Sequence, residues 1–131
     1  MTLIPVRKEN LTMGLTHVAV QIKNISSGAT FNSRFLVDTG ATDSVAPASE
    51  LTRIGIKSLG KKSYELANGS IVEYEFGLAE ISFMNEITAG RIIFGPEGIE
   101  PILGVTALES VGMIVDPGNL RLKPLPAIPL K

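Results

Sequence analysis

The sequence contains no cysteine and no tryptophan, and it has a single histidine, His17. Without cysteine there can be no disulfide, no thiolate nucleophile and no thiolate metal site. One histidine, on the polar side of an alternating segment, supplies neither a paired imidazole metal site nor the base of a serine triad. No metal and no cofactor is therefore expected, and Ser44 and Ser49 read as capping or turn residues. No apolar run reaches about 18 residues, so no membrane-spanning helix is expected. The first ten residues, Met1 to Asn10, place their charges after a short apolar run, the reverse of a signal peptide. The expected location is cytoplasmic. Twelve basic residues against 13 acidic ones form no basic stripe, so nucleic acid is not an expected partner. The chain also lacks an internal repeat, an absence that matters for the chemistry below.

Among 131 residues, 44% are hydrophobic and 19% charged, a balance that can bury a core and fold as one domain over residues 1–131. Residues 1–14 read as an N-terminal arm. Residues 125–131, with Pro126 and Pro129, read as an extended tail.

Between these ends the apolar pattern has mostly period two, which is the signature of strands. Val18, Val20 and Ile22 alternate with polar neighbours. A second strand runs from Thr30 to Val37, and its end, Phe35-Leu36-Val37, is apolar on both faces, as in a buried central strand. The stretch from Pro47 to Gly55 holds one helical turn. Lys61 to Ala67 and Ile71 to Phe83 form a hairpin about Asn68-Gly69, a pair that tolerates the positive φ of a two-residue turn. The apolar face of the second arm changes phase near Gly77, which predicts a bulge or sharp bend. Arg91 to Phe94 and Ile102-Leu103 read as short strands. Thr106-Ala107-Leu108-Glu109 has capping-box spacing at the start of a helix that stops at Gly112. Met113 to Val115 and Leu120 to Leu122 flank the turn Asp116-Pro117-Gly118-Asn119. The expected class is all-β.

Phe35-Leu36-Val37-Asp38-Thr39-Gly40-Ala41-Thr42 is the segment that carries chemistry. A carboxylate directly after three apolar residues is costly to bury unless it is paired or hydrogen-bonded. The glycine allows a tight turn, and the threonine adds a hydroxyl that can lock the loop. Asp38-Thr39-Gly40 is also a good plain turn sequence, so these residues alone leave both readings open. Asp116 lies in a superficially similar segment, but Pro117 offers neither amide nor hydroxyl, and Asp116 reads as a turn residue. Asp43 either bonds its own loop or faces a substrate.

The order of an apolar strand, Asp38-Thr39-Gly40-Ala41, the Asn68-Gly69 hairpin, and Ile102-Leu103-Gly104 before a short helix resembles the retropepsins, single-lobe aspartic proteases of retroviruses and bacteria. The resemblance runs from about Leu15 to Leu122. It implies a closed barrel of short strands with a flap hairpin and one short C-terminal helix. It implies Asp38 as the catalytic carboxylate, in a loop completed by Thr39, Gly40 and Ala41. It gives Ile102, Leu103 and Gly104 a supporting role beneath that loop. It makes Ala67, Asn68, Gly69, Ser70 and Ile71 the flap over an extended peptide or protein substrate, in a cleft lined by Ala41, Val45, Ile71 and Ile102.

Hydrolysis of a peptide without metal or covalent nucleophile needs one group to take a proton from water and another to donate one to the carbonyl. Two carboxylates about 3 Å apart share a proton and divide these tasks. With no second Asp-Thr-Gly in the chain, the resemblance implies a homodimer with one Asp38 from each subunit, and Thr39 bonding across the interface. A catalytically silent interaction module on the same fold is the alternative. Two positions depart from the retroviral pattern. Thr42 and Val105 stand where many retroviral enzymes carry an acidic residue and an arginine, so both charges of that ion pair are missing together and neither is left orphaned.

Overall fold

The computed structural model describes residues 16–116 and 118–130; the expected N-terminal arm lies outside them. The elements are β1 (Thr16–Lys23), β2 (Thr30–Asp38), β3 (Ser44–Pro47), α1 (Ala48–Arg53), β4 (Gly60–Glu65), β5 (Ile71–Phe83), β6 (Glu86–Gly95), β7 (Ile102–Gly104), α2 (Val105–Ser110), β8 (Met113–Asp116) and β9 (Arg121–Pro124). The strands β1-β2-β7-β3-β6-β5-β4 form one sheet. Residues Gln21–Lys23 of β1 also pair with Glu80–Ser82 of β5, which closes six of these strands into a barrel and leaves β4 outside it. β8 and β9 form a separate two-stranded sheet. This is the all-β, closed-barrel architecture that the sequence leads one to expect.

The barrel encloses the apolar residues singled out by alternation. Val20 and Ile22 point inward from β1, and Phe35 from β2. Ile92, Leu103 and Leu108 join them, while α1 seals one side with Leu51 and Ile54. Each such side chain contributes about 1.5–3 kcal/mol by leaving water. Among the described residues, no helix is long and apolar enough to cross a membrane.

Four local expectations are corrected. The Asn68-Gly69 hairpin is not closed by a two-residue turn. Leu66 and Ser70 face each other through the Leu66 N–H to Ser70 carbonyl bond, and the Gly69 N–H returns to the Leu66 carbonyl. Only Gly69 has positive φ (85°), while Asn68 uses its side-chain oxygen to accept from the Ser70 amide and hydroxyl. The two-residue turn is elsewhere. Met84 and Asn85, both at positive φ (53° and 64°), join β5 to β6 between the paired Phe83 and Glu86. This turn was hidden because methionine is a poor signal for left-handed backbone. It extends β6 back from the expected Arg91 to Glu86.

There is also no bulge at Gly77, since the β5–β6 register is continuous from Phe76↔Ile93 to Phe83↔Glu86. The face changes because β5 changes partners, pairing with β4 up to Phe76 and with β6 from Phe76 onward. Gly77 is needed there for another reason: a Cβ would lie 2.6 Å from Ile56 Cγ2 and 2.8 Å from the Lys57 carbonyl oxygen. The capping box is absent too. α2 begins at Val105 with Gly104 as N-cap and no side-chain cap, so Thr106 is inside the helix. Finally, Leu120 sits in the turn at φ 54°, and β9 starts one residue later. Gly112 does end α2, at φ 71°.

α1 lacks a side-chain cap of its own, and Glu97 supplies the missing acceptor from another loop. The Ser49 N–H donates to Glu97 Oε2 at 2.9 Å and the Ser49 hydroxyl to Oε1 at 2.6 Å. These bonds hold the Glu97 carboxyl below its ordinary value of 4.5. A carboxyl with a lowered folded-state pKa stabilises the fold above its unfolded value and loses that contribution as pH falls through the folded one. Glu97→Gln should therefore unfold more readily than wild type near neutral pH, with the difference closing in urea titrations as pH falls from the ordinary glutamate value through the lowered folded-state one. In the β5–β6 turn, Met84→Gly should raise stability by about 1 kcal/mol, because glycine occupies left-handed backbone without a Cβ penalty. A lower thermal midpoint for that variant would contradict the turn.

Candidate active site

β2 carries Asp38 as its last residue, and the register shows why it stops in a fixed place. β7 lies parallel to it, with Leu36↔Ile102, Val37↔Leu103 and Asp38↔Gly104. The Leu36 N–H donates to the Pro101 carbonyl at 2.9 Å. Ile102, Leu103 and Gly104 thus run directly alongside the strand end, with Leu103 fully buried. Their contact with the strand end is a parallel strand pairing.

Beyond Asp38 the chain reverses. Asp38 Oδ1 accepts from the Gly40 N–H at 2.9 Å, and its carbonyl accepts from the Ala41 N–H at 3.1 Å. The side chain therefore organises its own loop. Gly40 contributes an amide rather than a left-handed conformation, since its φ is not positive. Asp38 is half-buried, and Thr39 and Gly40 are exposed at the loop's outer edge.

The next residues are clamped from below. The amides at the start of α2 have no partners within their own helix. The Val105 N–H donates to the Ala41 carbonyl at 2.8 Å, and the Thr106 N–H to the Thr42 carbonyl at 3.1 Å. The buried Gly104 N–H donates to Ser44 Oγ at 3.0 Å. This arrangement replaces the expected capping box: the helix finds its acceptors in the loop that it supports. It also explains how the loop is tied at Thr42 and Val105 without an ion pair, because the bonds there are made by main chain. Gly104 admits no side chain, since a Cβ would lie 2.6 Å from the Asp43 carbonyl carbon and 2.9 Å from the Thr42 oxygen.

Asp43 bonds protein groups rather than solvent. It is 8% exposed, its Oδ2 accepts from the Tyr64 hydroxyl at 2.7 Å, and Arg91 Nη1 stands 3.6 Å from the same oxygen. Burial and then the bond to Asp43 push the Tyr64 hydroxyl above its ordinary pKa, with Arg91 opposing, so Tyr64 acts as a donor. Tyr64 and Arg91 were not singled out from the sequence. A tyrosine in an otherwise exposed, lysine-rich strand was the available signal.

Of the cleft residues, Val45 and Ile102 are brought together as register partners, and Ala41 lies in the loop that the Val105 amide holds. Ala67, Asn68, Gly69, Ser70 and Ile71 are exposed at the hairpin tip, with Ile71 at 66%. Asp116 is the last residue of β8 rather than a residue of the turn itself, and its side chain bonds the turn that follows. Its oxygens accept from the Gly118 N–H and from Asn119 Nδ2, which hold its pKa below the ordinary value. Ser44 is a buried acceptor rather than a cap. His17 bonds Glu100 at 2.8 Å, and among the described residues no group of three histidines and carboxylates is placed to hold a metal.

A family model described as aspartyl protease matches residues 18–107, more than half of the chain. Among solved structures, the chain is similar to the retroviral protease-like domain of Ddi1 from Leishmania major, with a TM-score of 0.55 and 17% identity, covering 86% of this chain and 90% of that one. At that identity the likeness concerns the fold. No curated protein matches the sequence.

The clamp can be tested through its buried bond. Ser44→Ala leaves the Gly104 amide without an acceptor and should cost about 1–3 kcal/mol in chemical denaturation. Unchanged stability would mean that the amide finds another partner.

Proposed function

The chain belongs to the aspartyl protease family and has its retropepsin-like fold, and on that premise we propose that it is an endopeptidase working as a homodimer, with one Asp38 from each subunit at the two-fold axis. The observation that carries this reading is the state of the three aspartates in the sequence. Asp43 is committed to Tyr64 and Arg91, and Asp116 to its own turn. Asp38 alone stands at the end of a clamped strand, in a complete Asp-Thr-Gly loop, and among the described residues its carboxyl is bonded only to the Gly40 amide. A second carboxylate for the same water has to come from another copy of the chain.

In the dimer, the two Asp38 carboxyls share a single proton. The ionised one accepts a proton from a water held between them as the water oxygen attacks the scissile carbonyl carbon. The protonated one donates to the carbonyl oxygen, giving a neutral gem-diol intermediate. Transfer of a proton to the amide nitrogen then releases the amine, and the C–N bond breaks. Thr39, exposed at the loop's outer edge, bonds across the interface to the partner's loop and keeps the two carboxyls together.

The β4–β5 hairpin serves as the flap, with Ala67, Asn68, Gly69, Ser70 and Ile71 over an extended peptide. The peptide adds a strand to the cleft and places side chains against Ala41, Val45 and Ile102. The flap has one tip glycine, Gly69, and its loop is tightened by Asn68. Support for this role comes from the hairpin standing outside the barrel while joined to it through β5.

Asp38→Asn should lose peptide cleavage by at least about 10³-fold while keeping the wild-type fold, because an amide cannot take the proton from water. The wild-type rate should rise and then fall across acidic to neutral pH, as one proton on two carboxyls requires. Sedimentation should show the active species as a dimer. Undiminished cleavage by Asp38→Asn would remove Asp38 from the mechanism, and no cleavage by the wild-type dimer would leave the fold as an interaction module.

A further inference from the structure

The hairpin formed by β4 and β5 is weakly held as a structural element. β4 pairs with β5 alone, and Lys61, Lys62, Ser63 and Glu65 are exposed. A two-stranded ribbon of this kind is marginal in water. On its half-buried face it carries three aromatic residues, Tyr64, Tyr74 and Phe76. The rings of Tyr64 and Tyr74 lie 6.3 Å apart at 49°. Phe76 is the residue at which β5 passes from β4 to β6, being opposite Gly60 on one side and Ile93 on the other. The Arg91 guanidinium sits 4.7 Å above the Phe76 ring.

One hydrogen bond and one ion pair carry this face and the adjoining β6 to the loop that bears Asp38. The Tyr64 hydroxyl and the Arg91 guanidinium meet the same atom, Asp43 Oδ2, at 2.7 and 3.6 Å. Asp43 is five residues beyond Asp38, and its main chain rests on Gly104, where not even a methyl group could be inserted. A carboxylate so fixed is a rigid anchor. A hydrogen bond to a charged, desolvated acceptor is stronger than one between neutral groups. Tyr64 is the reach of the outer hairpin toward that anchor, and Arg91 holds the base of the hairpin to it through Phe76.

We propose that Tyr64, Asp43 and Arg91 form a latch that seats the β4–β5 hairpin on the active-site loop, making Tyr64 and Asp43 positioning residues for closure over a substrate. This rests on the hairpin covering substrate, as in the reading above. The latch itself is a property of the folded chain and can be measured without cleavage. It sets the hairpin's angle through one shared oxygen. Release of the Tyr64 hydroxyl frees the outer half, while Arg91 and Phe76 keep the inner half in register with β6.

The test is amide hydrogen exchange on the full chain, with Tyr64→Phe as the main variant. That change removes one oxygen and leaves the ring against Tyr74. Amides of residues 60–72 should exchange roughly 10- to 100-fold faster, the loss expected for one hydrogen bond to a charged acceptor. Barrel amides such as those of Ile22 and Ile92 should keep their rates. Asp43→Asn should accelerate the same residues, and the double variant should be no faster than the faster single variant, since both remove one coupling. In cleavage assays Tyr64→Phe should raise KM more than it lowers kcat. Unchanged hairpin exchange in Tyr64→Phe, or additive effects in the double variant, overturns the latch. Two variants separate the two ideas: cleavage undiminished in Asp38→Asn removes the Asp38 mechanism and leaves the latch, while unaltered hairpin exchange in Tyr64→Phe removes the latch and leaves the protease.

Discussion

A short stretch of main chain, Ala41 to Ser44, lies against Gly104 and the first amides of α2, and the site depends on this contact. A helix start has amide groups without partners, and a loop has carbonyls without partners. Placing one on the other satisfies both sets, with Asp43, Ser44 and Gly104 buried at the contact. The geometry is strict because atoms meet at the limit of van der Waals approach, and only glycine at position 104 allows it. The parallel pairing of β2 with β7 delivers Asp38 to the same level. The role proposed for Asp38 needs a fixed position more than it needs many neighbours, and these bonds fix the position without occupying its carboxyl.

The other two aspartates show the contrast. Asp116 spends its acceptors on a turn at the surface, where a low pKa keeps it charged and bonded. Asp43 is nearly enclosed, and enclosure of a carboxylate is tolerable only with donors in place. Tyr64 and Arg91 supply them, and they come from strands on the far side of the hairpin junction. The cost of burying one charge is thereby turned into a connection between loop and hairpin. The same economy appears where Glu97 caps α1. In each place a polar group unsatisfied within its own element is satisfied by a distant one.

Much of the barrel was legible because period-two alternation directly reports which face of a strand is inside. Val20, Ile22, Phe35 and Leu103 could be placed in the core from their neighbours alone, and the start of β5 from the turn residues before it. Turns were less legible. Asn68-Gly69 signals left-handed backbone, yet a five-residue connection used only the glycine. Met84-Asn85 gives little signal, yet it forms the tight turn, because the barrel demands that β5 and β6 be joined there. The apparent bulge at Gly77 was a change of strand partner, which leaves the same trace in hydrophobic phase as an inserted residue does. The capping-box spacing at Thr106 was correct in pattern and shifted in use, since the helix start met better acceptors across space.

By itself the sequence determined the strand-rich class, the interior residues, and Asp38 as the carboxylate set apart by three apolar residues and a following Thr-Gly. Those follow from local periodicity and from the cost of a charge beside a core, both of which are written along the chain. Tertiary structure decided what the loop rests on, which aspartates are occupied, and which side chains reach Asp43. Tyr64 is 21 residues from Asp43 and Arg91 is 48. Residues so far apart meet only because the closed barrel brings β3 beside β6 and turns the β4–β5 hairpin back toward the loop, and no local pattern encodes that approach.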